Sequence, residues 1–128
     1  MQEKYLQFQA LSQRLNSLQE YYSTLESQVT ELQTLDKSLQ ELKKLKKTTE
    51  ILVPLGSNIF TKAKIETTEK FFVGVGANVI LKKSFEETVT SVDQQMQELK
   101  EILEKIEKEM RTAKKQLQQI RDEILKEQ

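Results

Sequence analysis

An unbroken alternation of four- and three-residue steps between apolar side chains constrains this chain more than any other feature. Near its end the stripe runs Phe85, Val89, Val92, Met96, Leu99, Leu103, Ile106, Met110, Ala113, Leu117, Ile120, Ile124. Near its start a second stripe runs Phe8, Leu11, Leu15, Leu18, Tyr22, Leu25, Val29, Leu32. Apolar residues at heptad spacing line one side of a helix, and over this many turns they require a partner helix to keep the stripe from water. Burying one seam leucine gains roughly 1.5–3 kcal/mol, so the pairing is strongly driven. The partner could belong to another chain or to the same one. Two helices of nearly equal length around a turn-rich segment favour an intramolecular antiparallel hairpin.

The first helix is expected from about Gln2 to about Lys47, since no Gly or Pro occurs before Pro54. At 1.5 Å per residue it would be about 70 Å long. Beyond Leu32 the apolar steps become Leu35, Leu39, Leu42, two consecutive threes, which reads as a stammer that locally overwinds a coiled coil. Lys43, Lys44, Lys46 and Lys47 crowd the expected C-terminal turn, where cations suit the helix dipole. They could touch an acidic partner, but a solvated helix end is the simpler account. The second helix should start after Ser84. Ser84-Phe85-Glu86-Glu87 has the form of a capping box, in which Ser and Glu satisfy each other's free amides. Glu101/Lys105, Glu104/Lys108 and Glu107/Arg111 are i,i+4 pairs in the favourable order and mark the solvated face.

Between the helices the period changes. Ile51–Leu55 reads as a short strand and Gly56-Ser57 as a turn; Pro54 lacks an amide donor and belongs at an edge or a bulge. Ile59, Thr61, Ala63 and Ile65 then alternate with Phe60, Lys62, Lys64 and Glu66, the pattern of a half-buried strand. After a turn at Thr67-Thr68-Glu69-Lys70, strands at 71–75 and 79–81 flank Gly76-Ala77-Asn78, a three-residue hairpin loop. Two hairpins cannot bury an apolar face by themselves, and Phe60, Phe71 and Phe72 need cover. The segment is therefore expected to assemble with neighbours. The fold class is α+β dominated by helix: a long antiparallel coiled-coil hairpin with two β-hairpins at its bend. One domain covers 1–128, divided into a helix over 1–48, the hairpins over 49–84 and a helix over 85–128.

Composition narrows the function. The 20 basic and 20 acidic residues balance, and phosphate binding needs an excess of Lys and Arg. Neither nucleic acid nor an anionic membrane is expected as a partner. A helical arm of the kind that binds RNA in some tRNA synthetases would need a basic face, and these ends are rich in Gln and apolar residues. Charge is slightly segregated, with five Lys and two Glu in 51–84 and eight basic against eleven acidic residues in 85–128. Cys and His are absent, so no disulfide and no nucleophile–base pair exists. The acidic residues of the second helix match solvated pairs and lack softer ligands, so no metal is assigned. Gly74 and Gly76 invite comparison with a dinucleotide loop, but the third glycine position is Val79 and a strand follows where a helix is required. No cofactor and no enzymatic activity are expected. MQEKYLQFQALSQ has no apolar signal core, and the apolar run over 71–81 is too short to span a bilayer. A soluble, cytoplasmic protein is expected.

The residues Ile51-Leu-Val-Pro-Leu-Gly56-Ser-Asn-Ile-Phe60, Lys62-Ala-Lys-Ile65, Phe72-Val-Gly-Val-Gly76-Ala-Asn-Val79 and Lys83-Ser-Phe-Glu-Glu87 resemble the α class of prefoldin subunits. The order of long helix, two hairpins and long helix agrees over the whole chain. The other class has one hairpin and a shorter gap. The resemblance implies an ATP-independent co-chaperone subunit whose hairpins join a β-barrel platform, with β-class prefoldin subunits and a second α-class chain as partners. Coiled coils hang from the platform, hold non-native polypeptides at their tips and pass them to a group II chaperonin. Divergent relatives can instead form homo-oligomers or filaments, which leaves a structural, scaffolding role open.

Two sets of site residues follow. At the tip, Tyr5, Leu6, Phe8, Leu11 and Leu15 would face Leu117, Ile120, Ile124 and Leu125. Spacing alone lets these close the seam, although Leu6 and Leu125 lie off it and widen the apolar surface. The resemblance implies that the terminal turns hold substrate. In the hairpins, Ile51, Val53, Leu55, Ile59, Phe60, Ile65, Phe71, Phe72, Val73, Val75, Val79 and Leu81 would carry assembly.

Overall fold

A computed structural model describes residues 2–127. The element order is α1 (Gln2–Lys43), β1 (Glu50–Gly56), β2 (Ile59–Lys64), β3 (Lys70–Gly76), β4 (Val79–Ser84) and α2 (Phe85–Lys126). Both helices are 42 residues long. The chain divides into two compact units, Met1–Glu31 with Met96–Gln128, and Leu32–Gln95.

The first unit is an antiparallel helix pair. Leu25, Val29, Ile106, Ala113 and Ile124 are buried, and Phe8, Leu11, Leu15, Leu18, Leu99, Leu103, Met110, Leu117 and Ile120 are half-buried. Every expected seam position in this unit is thus shielded. Cross-helix polar contacts fix the direction: Lys4 with Glu127, Arg14 Nη2 with Glu109 Oε2 at 3.4 Å, and Tyr22 Oη donating to Glu107 Oε1 at 2.8 Å. The expected pairs within α2 do not close to ion-pair distance among the described residues. Glu107 and Glu109 reach across to α1 instead. A carboxylate on an exposed helix gains little from a lysine one turn away, so it is free to serve as an acceptor for the neighbouring helix.

The second unit holds the rest of both helices and the hairpins. The consecutive threes do not fall at Leu32 and Leu35. Leu35 is 43% exposed, and the position after Leu32 is taken by Asp36, which is half-buried. Positions 25, 29, 32, 36 and 39 keep the four–three alternation; the next shielded side chain is Leu42, half-buried and three residues on, whereas Lys43 is exposed. As far as Leu39 the helix keeps the heptad and accepts a carboxylate in it. Leu39 is buried at 4% exposure, and Asp36 Oδ1 has no hydrogen-bond partner. Helix α1 ends at Lys43, short of the expected Lys47. Thr48 takes a left-handed φ of 69°, and the Lys46 carbonyl accepts hydrogen bonds from both the amide and the hydroxyl of Thr49. Lys46 and Lys47 therefore lie in the turn and not on the helix. The start of α2 is the expected capping box. Glu87 N–H donates to Ser84 Oγ at 3.0 Å and Ser84 N–H to Glu87 Oε1 at 3.1 Å. That bond to the Ser84 amide pulls the Glu87 carboxyl below its usual range.

The hairpins form two separate two-stranded antiparallel sheets. In the first, Ile51 faces Ala63, Leu52 faces Lys62 and Pro54 faces Phe60; in the second, Phe71 faces Lys83, Phe72 faces Lys82 and Gly74 faces Ile80. The second repeats the first at an offset of twenty residues. Each has one extra residue before its turn, between Pro54 and Gly56 or between Gly74 and Gly76. Each closes on a pair, Gly56–Ile59 or Gly76–Val79, so the loops are two residues long, Ser57-Asn58 and Ala77-Asn78. This corrects the three-residue loop expected at 76–78. Both loop residues have φ between 49° and 63°, and Gly56 and Gly76 have φ of 122° and 104°. Left-handed pairs match the twist of the flanking strands, and at 56 and 76 only glycine enters that region without strain. Backbone bonds extend each ladder by one step: Ile65 N–H to the Thr49 carbonyl at 3.1 Å, and Phe85 N–H to the Glu69 carbonyl at 3.0 Å.

Candidate functional site

At the free ends of the helix pair, the predicted tip residues separate into two groups. Ile124 is buried, and Phe8, Leu11, Leu15, Leu117 and Ile120 are half-buried along the seam. Tyr5, Leu6 and Leu125 are 47%, 64% and 57% exposed. An open groove of about 460 Å³ runs between Gln7, Ala10, Leu11, Gln116, Gln119, Ile120 and Glu123. The apolar side chains at this end thus split between closing the seam and standing in water.

A feature that periodicity did not foresee lies beside them. Lys4 Nζ bonds Glu127 Oε1 and lies 3.7 Å from Glu123 Oε2. The hydrogen bond to Glu127 holds the Lys4 ammonium above its usual range, and the same bond holds the Glu127 carboxyl below its own. Tyr22 is likewise pushed up by donating to Glu107. Such cross-helix pairs require the register of the hairpin, which a single sequence does not provide.

The hairpin surface is the second candidate. Ile51, Val53, Ile65, Phe71 and Val73 are half-buried, whereas Leu55, Ile59, Phe60, Phe72, Val75, Val79 and Leu81 are exposed. Directly opposed residues of an antiparallel pair share a face. One face of the first hairpin therefore carries Glu50, Leu52, Pro54, Phe60, Lys62 and Lys64, and the matching face of the second carries Lys70, Phe72, Gly74, Ile80, Lys82 and Ser84. Leu52 and Ile80 belong to the exposed apolar set and were missing from the sequence expectation; alternation with Phe60 and Phe72 is the signal that would have found them. The opposite face of the second hairpin packs inward. The Phe71 ring centroid lies 6.1 Å from that of Phe85, which is 6% exposed and has Lys43 Nζ 4.4 Å from its ring centroid. Lys43 also lies 3.9 Å from Glu86. Phe71 thus finds its cover inside the chain, and Phe60 and Phe72 do not.

No group of three or more His, Cys, Asp or Glu among the described residues is arranged to hold a metal. No described helix is long and apolar enough to cross a membrane.

Comparison with known proteins decides the family. The family model for prefoldin subunits matches residues 11–128. The chain belongs to the prefoldin family. A prefoldin subunit alpha from Methanococcus vannielii is 29% identical over 126 residues, covering 98% of this chain and 84% of that one. A prefoldin subunit alpha from Methanococcus maripaludis is 27% identical over 104 residues, covering 81% and 70%. The relatives and the two hairpins together place this prefoldin in the α class. In fold it is similar to a filamentous PFD from Methanocaldococcus jannaschii solved by cryo-EM, with a TM-score of 0.79 at 22% identity over 91% of this chain and 96% of that one. A role as a chaperone cofactor goes with the family, as does assembly with other prefoldin subunits.

Proposed function

We propose that this prefoldin subunit is an ATP-independent holding chaperone that grips non-native polypeptides at its helix ends and delivers them to a group II chaperonin. The observation that carries this reading is the position of Tyr5, Leu6 and Leu125. Large apolar side chains stand in water where two helices end, although the adjoining seam is shielded. Unfolded chains expose apolar side chains of their own, and a patch of this kind is a surface for them. Phe8, Leu11, Leu15, Leu117, Ile120 and Ile124 form the floor beneath it. The hairpins recruit β-class subunits and a second α-class chain. The exposed Leu55, Ile59, Phe60, Phe72, Val75, Val79 and Leu81 supply the apolar contact, supported from below by Ile51, Val53, Ile65, Phe71 and Val73.

The experiment replaces Leu6 and Leu125 together by Ser. Suppression of aggregation of a chemically unfolded test protein should fall, with secondary structure and assembly mass unchanged. Full protection by the double variant would remove the tip from the mechanism. A second reading, in which the chain forms homo-oligomers or filaments, draws support from the fold shared with a filamentous PFD. Native mass spectrometry of the purified chain, alone and mixed with a β-class subunit, separates the two.

A further inference from the structure

The overall charge balance conceals a local excess of cations. Residues 4–19 contain Lys4 and Arg14 and no Asp or Glu, and residues 110–121 contain Arg111, Lys114, Lys115 and Arg121 and no Asp or Glu. The contacts of Lys4 with Glu123 and Glu127, and of Arg14 with Glu109, set these two segments side by side in the helix pair. A second open groove, of about 330 Å³, lies here between Arg14, Lys108, Glu109, Thr112, Ala113 and Gln116. It meets the groove near the free ends at Gln116, and the two together follow α2 from Lys108 to Glu123. That stretch of helix rises about 22 Å, the span of about seven residues of extended chain. Leu11, Ala113 and Ile120, buried or half-buried, form the floor of this trench. The exposed Gln7, Gln116 and Gln119 stand along it and have no hydrogen-bond partner among the described residues. A Gln amide both donates and accepts, as a peptide unit does. Lys108, Arg111 and Lys115 follow one another at three- and four-residue steps, a single row on the helix surface. Lys115 stands between Thr112 and Gln119, which both line the trench. Glu107, spaced to pair with Arg111, accepts from Tyr22 instead, and Lys115 has Arg111 and Gln119 one turn away on either side. None of the three cations has a carboxylate within ion-pair distance among the described residues. Like charges at this spacing repel, so the row destabilises the free helix and is relieved by an anionic partner.

We propose that this trench binds extended, carboxylate-bearing segments of non-native polypeptide. The Gln amides pair with the segment's main chain, and Arg14, Lys108, Arg111 and Lys115 face its Asp and Glu side chains. Arg14 gives one nitrogen to Glu109 and keeps further N–H donors for a ligand. The inference rests on the holding role given above and adds a second contact of different chemistry, since Tyr5, Leu6 and Leu125 line neither groove. Apolar side chains at the helix ends accept apolar stretches, whereas the trench accepts the acidic stretches that such a surface rejects. Complementary charge of this kind speeds encounter and sets preference among segments. A polypeptide suits the trench better than a nucleic acid, because no aromatic side chain lines either groove for a base to stack on.

The probe is a dye-labelled peptide of alternating Glu and Ala, about eight residues long, whose binding to the full chain is followed by fluorescence anisotropy. A peptide with Ser in place of Glu and a single-stranded oligothymidine of matching charge are run beside it. In about 50 mM salt the acidic peptide should bind about tenfold more tightly than the Ser peptide, and the difference should shrink toward unity in about 500 mM salt. Lys108→Gln with Lys115→Gln, both exposed and checked for intact fold by circular dichroism, should weaken the acidic peptide about fivefold. Lys114→Gln with Arg121→Gln removes the same charge from residues that line neither groove and should change the affinity less than about twofold. Equal losses from the two pairs would assign the binding to net charge and overturn the trench. Oligothymidine bound as tightly as the acidic peptide would overturn the choice of partner. If the acidic and Ser peptides bind equally while the chain still suppresses aggregation, the trench falls and the holding role stands. Leu6→Ser with Leu125→Ser, the variant that tests that role, should leave the affinity for the acidic peptide unchanged.

Discussion

Asp36 offers the sharpest quantitative test of the helical packing. It occupies the heptad position between Leu32 and Leu39, is half-buried, and has one carboxylate oxygen without a hydrogen-bond partner. Replacing it by Leu removes a partly desolvated oxygen that has no protein partner, an arrangement that costs on the order of 1–3 kcal/mol when burial is complete. Leucine also adds apolar burial, worth roughly 1.5–3 kcal/mol for a fully covered side chain. The site is only half covered, so about half of each applies, and the net gain should be about 2 kcal/mol. For a chain of this size each kcal/mol moves Tm by about 4 °C, giving a rise of about 8 °C. The neighbouring Leu35 supplies the control. At 43% exposure its replacement by Ala should cost less than about 1 kcal/mol. Had the helix carried a stammer with Leu35 in the seam, that change would cost about 2–5 kcal/mol. Thermal unfolding followed by circular dichroism, at one fixed protein concentration, measures both. A destabilised Asp36→Leu together with a Leu35→Ala loss above about 2 kcal/mol would refute the packing described here.

Two further outcomes test the joint between hairpin and helix. Phe85→Ala removes the buried ring that Phe71 and Lys43 both contact and should cost about 3–5 kcal/mol in denaturant unfolding; a loss below about 1 kcal/mol would show that the ring carries no packing. The Glu87 carboxyl is held below its ordinary value by the Ser84 amide, so the folded state binds its proton less readily than the unfolded state. Its stabilising contribution is complete above the ordinary carboxylate range and is lost as pH falls through the lowered value. The parent should therefore lose more Tm than Glu87→Gln between neutral pH and about pH 3, and equal slopes would show that the capping bond is not made in solution.

Most of the architecture was legible in the sequence because it depends on period. The stripes at Phe8–Leu32 and Phe85–Ile124, the change to alternation after Thr49, the capping box and the two hairpins all follow from spacing and local chemistry. The errors share a different cause. At Leu35 and Asp36, residue type favours the leucine, whereas the helix keeps its period through Asp36 to Leu39. At Gly76-Ala77-Asn78, the turn was judged by composition, but its length depends on which residues pair across the strands. The absence of Gly and Pro before Pro54 extends the expected helix α1 to Lys47, although the turn at Thr48 and Thr49 follows an end at Lys43. The tip was legible as an apolar cluster, and the separation of Leu6 and Leu125 from the seam was visible in their numbering. The Lys4, Glu123 and Glu127 cluster was not, since it joins residues more than a hundred positions apart.

The twenty-residue repetition of the hairpins makes the bend a duplicated element. Each copy has the same ladder, the same turn and its own open strands, so one polypeptide presents the same surface twice. A subunit with a single such element has two open strand edges, whereas one with two has four. Deleting either copy would halve the number of edges open to strand addition.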